Sequence, residues 1–87
     1  MYDFVRKMNE VINDQSIVSF EMSRKGVNIL WSGYLFSVEY YAENLHIVGD
    51  NIELNLDVCD KNIEKNGENF VIETDGFSLF FNLEDLT

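Results

Sequence analysis

The chain contains no proline and only one cysteine, and both shortages restrict what it can be. Without proline, no strand loses a backbone hydrogen-bond donor to a pyrrolidine ring, so every extended stretch stays open to sheet formation. The lone Cys59 has no partner for an internal disulfide, and a small chain with one thiol fits a reducing compartment. We therefore expect a cytoplasmic protein.

Long hydrophobic runs are also missing. No stretch reaches the roughly 18 apolar residues of a membrane-spanning helix, and the first residues, MYDFVRKMNE, lack the apolar core of a signal peptide. We therefore expect no membrane partner. The length predicts one domain over residues 1–87, and a hydrophobic fraction of 46%, with seven Phe, four Tyr and one Trp, is typical of a globular chain.

Positive charge is scarce and unevenly placed. Six Lys and Arg oppose 16 Asp and Glu, which gives a formal net charge of −10. Residues 1–33 hold four basic and four acidic residues, whereas residues 34–87 hold two Lys against twelve acids. A field of this sign repels nucleic acid and anionic lipid and attracts basic protein surfaces. The alternative is that the acids form a solvated surface that only keeps the protein soluble.

A helical period is confined to the N-terminal region. Residues 4–14 read FVRKMNEVIND, and Asp3 before them is a plausible N-cap whose charge suits the positive end of a helix. The apolar residues of this stretch recur on one helical face: Phe4, Val5, Met8, Val11 and Ile12. We therefore predict a short N-terminal helix.

After the helix the apolar residues alternate, which predicts strands. Glycine marks four tight turns, because two-residue hairpin loops need positive φ: Lys25-Gly26, Ser32-Gly33, Gly49-Asp50 and Asp75-Gly76. With a further loop at residues 41–44, five strands follow at roughly 17–24, 27–31, 34–40, 45–48 and 51–58. The predicted cross-strand partners are Met22 and Ile29, Ile29 and Phe36, Val38 and Ile47, Ile47 and Ile52, and, in a C-terminal hairpin, Ile72 and Leu79.

These elements predict an α+β fold. The short N-terminal helix packs on an antiparallel β-meander of five strands, which a C-terminal β-hairpin follows. The hairpin either extends the sheet or folds back over it, and a curl towards a barrel would bury more apolar surface. The pattern leaves these arrangements open.

The same alternation places acids on the face opposite the apolar one. His46, the only histidine, is predicted to lie between Glu39 and Glu53 on that face. Charged side chains at this spacing suit Lys and Arg residues that normally grip phosphates. We predict a partner-binding surface there that consists of Glu39, Tyr41, Glu43, Asp50, Glu53 and Asp57, with Tyr41 as an apolar anchor.

Some apolar residues fall on the polar side of the predicted sheet. Leu30 is expected opposite Leu35, and Phe80 opposite Val71. These residues form either a second small core or a docking patch for a partner or a second copy of the chain. We therefore include Leu30, Leu35 and Phe80 among the predicted partner-binding residues.

Motifs that carry chemistry are not evident. Residues 60–67, DKNIEKNG, have oxygen-bearing side chains at alternate positions, but Lys65 stands where a calcium-binding loop needs its sharp-turn glycine. Cys59 and His46 lie in no nucleophile signature. We expect no enzymatic activity, no cofactor and no metal, and the chain carries no motif of a known family.

Size and charge together favour a small acidic inhibitor or binding protein. It would dock on a basic, nucleic-acid-binding protein, without binding nucleic acid itself. Phage counter-defence proteins of the anti-CRISPR type and toxin-immunity proteins share this composition, which is an analogy and not a shared motif. The alternative is an assembly module that joins copies into homodimers or larger homo-oligomers through sheet edges or the Leu30–Leu35 patch.

Overall fold

The computed structural model describes residues 1–74 and 76–83. This part of the chain contains one α-helix, eight β-strands and a 3₁₀ turn at Asp60–Asn62. Asp75, which the sequence places in the last turn, lies outside the described residues. The elements are α1 (Tyr2–Asn13), β1 (Val18–Arg24), β2 (Val27–Gly33), β3 (Leu35–Tyr41), β4 (Asn44–Gly49), β5 (Ile52–Asp57), β6 (Ile63–Asn66), β7 (Asn69–Thr74) and β8 (Phe77–Asn82).

The helix packs on the sheets through the predicted apolar stripe. Phe4, Met8 and Val11 are buried, and the Phe4 ring meets the rings of Phe70 and Phe81 edge-on at 5.3 and 5.0 Å. Such contacts add to the free energy of burying each ring. The predicted N-cap is wrong, because the helix begins two residues earlier and Met1 occupies the cap position. Asp3 lies within the first turn, where its charge still suits the helix dipole.

The strands form two antiparallel sheets, which confirms the α+β fold. The larger sheet has the order β2-β1-β8-β7-β6, and the smaller has the order β3-β4-β5. The C-terminal hairpin β7–β8 extends the sheet of the first hairpin, because β8 pairs with β1. As described, the two sheets stay open and do not close into a barrel.

Three of the predicted hairpins have the predicted register. They pair Met22 with Ile29, Val38 with Ile47, and Ile72 with Leu79. In each of these hairpins the register is set by the turn length and by the apolar alternation of two neighbouring strands.

The predicted hairpin at Ser32-Gly33 is wrong, and with it the pairing of Ile29 with Phe36. β2 pairs with β1 alone, and the chain passes at Tyr34 into the smaller sheet. Gly33 is not among the residues with positive φ, so it does not form the predicted turn. A Cβ at Gly33 would lie 2.9 Å from the Trp31 ring, so glycine serves here to make room for that ring.

The β4–β5 turn is displaced by one residue from its predicted place. Its loop is Asp50-Asn51, and Asn51 has the positive φ of 61°. Ile47 therefore faces Leu54 instead of Ile52. The partner changes by two positions, so the same apolar side chains still face inward.

One core fills the space between the helix and the inner faces of both sheets. A bulge between Leu35 and Ser37 turns both Leu35 and Val38 inward and leaves Phe36 60% exposed, against the prediction that Phe36 is internal. The buried side chains of the described residues are Phe4, Met8, Val11, Val18, Phe20, Leu35, Val38, Leu45, Ile47, Leu56, Val58, Phe70, Ile72, Leu79, Phe81 and Leu83.

We predict that neighbouring substitutions at the bulge have unequal effects. Leu35→Ala should lower the free energy of unfolding by about 2–5 kcal/mol, because it leaves a cavity in the core. Phe36→Ala should change it by about 0.5 kcal/mol or less, because that ring is largely in solvent. Urea denaturation of both variants measures the difference. A larger loss for Phe36→Ala would contradict the bulge.

Candidate partner-binding surface

The five predicted acidic residues lie together on the smaller sheet. Glu39, Glu53 and Asp57 are exposed on its outer face, and Glu43 and Asp50 lie in the turns at its two ends. We call this surface the acidic face. No Lys or Arg occurs between residues 34 and 58, so no Lys or Arg of this sheet neutralises it.

Polar side chains link the strands of the acidic face. His46 Nε2 lies 2.7 Å from Glu53 Oε2, and Asn44 Nδ2 donates to Asn55 Oδ1 and, at 3.4 Å, to Asp57 Oδ1. These groups are solvent-exposed, so each contact contributes little to stability. Their effect is to limit where the carboxylates of this face point.

The predicted row around His46 has a different geometry from the expected one. Glu39 faces His46 from β3, as predicted, but Asn55 is the directly opposite residue on β5. Glu53 faces Val48 and reaches His46 diagonally. The displaced β4–β5 turn causes this change, because it shifts every partner on β5 by two positions.

Tyr41 stands beside the acids. It occupies one outer row with Asn44 and Asp57, and it is 84% exposed. Next to it, Ala42 and Glu43 both have positive φ, 52° and 60°, a conformation that costs L-residues roughly 1–2 kcal/mol each. The sequence predicted a four-residue loop at residues 41–44, but Tyr41 pairs with Asn44, so the loop is the tighter Ala42-Glu43, which lacks the Asn-Gly signature of such loops.

Unlike Tyr41, the predicted partner-binding residues Leu30, Leu35 and Phe80 do not join this surface. Leu35 is only 4% exposed and belongs to the core, so its prediction as a partner-binding residue is wrong. Leu30 and Phe80 lie on the outer face of the larger sheet, one on each side of Glu21. The inner faces of both sheets share one core, so these two residues and the acidic face lie on opposite sides of the molecule.

Leu30 is not covered by a second small core. Its side chain is 76% exposed, whereas Phe80, which pairs with Val71 as predicted, is 37% exposed. Ile29, predicted on the apolar face, and Val27 on the same side of β2 are also more than half exposed. The sequence pattern missed this, because alternation identifies a common face but not whether another layer covers it.

An apolar groove of about 440 Å³ lies where the helix ends against β3. Its lining includes Ile12, Gln15, Tyr34 and Phe36.

No three His, Cys, Asp or Glu side chains come together as metal ligands within residues 1–74 and 76–83. In the same part of the chain, α1 is too short and too polar to cross a bilayer.

The surroundings of Tyr40 alter the ionisation of its hydroxyl group. Its hydroxyl donates to Val58 O at 3.0 Å, at the edge of the core. Burial raises the pKa of Tyr40 above the ordinary 10.0, and the negative charges of Asp60 and Glu43 raise it further. The folded protein therefore holds this proton more tightly than the unfolded chain does.

We predict a pH-dependent contribution of Tyr40 to stability. Above about pH 10 the unfolded chain loses the Tyr40 proton first, so the stability that the neutral phenol provides at lower pH is lost as the pH rises through its folded pKa. The stability advantage of the natural protein over Tyr40→Phe should shrink in this range. Denaturant titrations from neutral pH to well above pH 10 measure it. A constant advantage would contradict the assignment.

Comparison with known proteins found no similarity that bears on this surface. No protein-family model matches the chain, and neither a curated protein nor a solved structure shows significant similarity to it.

Proposed function

We propose that this protein is a small, non-enzymatic binding protein that docks its acidic face on a basic, nucleic-acid-binding protein and inhibits it. The observation that carries the proposal is the placement of five exposed carboxylates, with no Lys or Arg between residues 34 and 58, on one three-stranded sheet. This surface offers a cationic partner carboxylates that no Lys or Arg of the same sheet occupies.

A sheet suits this role because its backbone fixes where the charges stand. Side chains on one face are about 4.8 Å apart between strands and about 6.8 Å apart along a strand. Lys and Arg residues that grip phosphates also form short, charge-assisted bonds with carboxylates. The acidic face therefore competes with nucleic acid for the same basic groups.

Association then has two stages. The net charge of −10 steers the protein towards a basic surface, and the rate of this step falls as salt rises. Close contact adds the exposed Tyr41, which stands in the same row as Asp57 and supplies apolar area with a polar tip. Glu43 adds a negative charge next to Tyr41. It does so at a positive φ, a backbone conformation that glycine would adopt at lower cost.

The cytoplasm is the compartment in which we place this activity. The small size and acidic charge of this chain fit inhibitors of the phage counter-defence or toxin-immunity type, by analogy of composition. The partner supplies the basic surface, and no cofactor, metal or membrane is needed for the proposed binding.

The proposal predicts that charge reversal on β5 weakens partner binding. Glu53→Lys with Asp57→Lys changes the formal charge from −10 to −6, because each exchange adds two charges. Each lost close charge pair should weaken binding about tenfold or more. Capture from lysate identifies the partner, and titration of the purified partner, with duplex DNA or RNA as competitor, measures affinity and inhibition.

A matched control separates the acidic face from net charge. Asp14→Lys with Glu73→Lys makes the same change in net charge at exposed positions on the helix end and on β7. This variant should keep most of the affinity. Equal affinity of the two variants, or partner binding that nucleic acid does not displace, would contradict the proposed role of the acidic face.

A further inference from the structure

The two sheets have four edge strands, and three of them are protected against pairing with another chain. β6 is only four residues long and carries Glu64 and Lys65. β3 has a bulge and a charge at Glu39, and β5 carries Glu53 and Asp57. Short length, bulges and charged side chains are the usual means by which an edge avoids unintended strand addition.

The fourth edge, β2, has none of these protections. Its seven residues, VNILWSG, contain no charge and no proline, and its register with β1 is unbroken by a bulge. Val27, Ile29 and Leu30 are 55%, 53% and 76% exposed. Among the described strands, β2 is therefore the edge that is ready to accept another strand.

The register of the first hairpin determines which backbone groups of β2 are free. A two-residue loop joins Arg24 to Val27, so this pair is hydrogen-bonded across the turn. Hydrogen-bonded and non-hydrogen-bonded pairs alternate along an antiparallel ladder. The N–H and C=O groups of Asn28, Leu30 and Ser32 consequently point away from β1, towards solvent.

We propose that β2 pairs antiparallel with β2 of a second copy of this chain, about a two-fold axis at Leu30. In this register Leu30 faces its own copy, and each Asn28 faces Ser32 of the other copy. All three outward-pointing residues then form hydrogen-bonded pairs, each of which exchanges two bonds. Any other antiparallel register leaves at least one of these residues unpaired.

The side chains match the same register. Ile29 faces Trp31 of the other copy on the inner side, and the two Leu30 side chains meet on the outer side, where both are now exposed. Aromatic and β-branched residues are favourable partners across strands. The two five-stranded sheets join into one sheet of ten strands.

Charge favours a second copy as the occupant of this edge. Copies of a chain with net charge −10 repel each other, but β2 is free of charge. Antiparallel pairing brings the Arg24-Lys25 turn of each copy towards the Tyr34 end of the other. Asp50 lies at that end, where its backbone N–H donates to Tyr34 O at 2.9 Å. Opposite charges therefore approach at both ends of the interface.

This inference does not rest on the proposed function. Glu39, Glu53 and Asp57 lie on the outer face of the smaller sheet, on the other side of the core from Leu30, so dimerisation leaves them exposed on each copy. Asp50 is the member of the acidic face that comes near the dimer interface. A loss of the dimer and a loss of partner binding are thus separate results.

Sedimentation equilibrium over a range of chain concentrations tests the dimer. The natural protein should show twice the chain mass of 10.2 kDa. Leu30→Lys should raise the dissociation constant by about tenfold or more, because two ammonium groups would face each other across the axis. Phe36→Lys, at an exposed apolar position on the bulged edge strand β3, should leave the dimer intact.

Circular dichroism and urea denaturation establish that Leu30→Lys is folded. A purely monomeric natural protein at millimolar concentration would overturn the proposal, and so would a dimer that Leu30→Lys leaves unchanged.

Disulfide trapping tests the register. In a Cys59→Ser background, Leu30→Cys should give a covalent dimer on oxidation, because directly opposite Cα atoms in a hydrogen-bonded pair lie about 5.5 Å apart. Asn28→Cys should give little, because its two copies would lie four residues apart. Efficient trapping at position 28 and none at position 30 would overturn the register.

Discussion

The passage of the chain from one sheet to the other at Gly33 is the constraint on which the rest of the structure depends. Glycine leaves room there for the Trp31 ring, since a Cβ would approach that ring to 2.9 Å. Trp31 Nε1 in turn donates to Asp50 O, and Asp50 N–H donates to Tyr34 O. These bonds join the end of β2 to the β4–β5 turn, so the two sheets are held with their apolar faces towards one core.

This crossing also divides the outer surface into two parts with different chemistry. Because the inner faces share a core, the charges of the smaller sheet and the free edge of the larger one lie apart. The first part carries carboxylates with no Lys or Arg among them, and the second carries an uncharged, exposed strand. A negative chain that uses one surface for a basic partner and the other for a copy of itself avoids conflict between the two.

Much of the acidic surface could be predicted from the sequence. Glu39, Glu53 and Asp57 alternate with apolar residues along their strands, and alternation alone places them outside.

The apolar anchors could not be predicted in the same way. Leu35 looked like a surface residue because its expected partner was Leu30, but the bulge beside it turns the side chain into the core. A bulge depends on packing against the other sheet, which local pattern does not contain.

By itself, the sequence determined the helix, the described strands other than β6, and three hairpin registers. These depend on residues close in the chain, through the apolar period, the turn length and the φ that a loop requires. Only the tertiary structure decided that β2 and β3 part at Gly33, that β8 joins β1, and that Val27 and Ile29 remain exposed. These outcomes depend on which apolar faces cover each other. Distant segments compete for the same buried area, and the local sequence does not show which of them wins. A glycine such as Gly33 is equally compatible with a tight turn and with the close approach of an aromatic ring, so its local sequence does not decide between them.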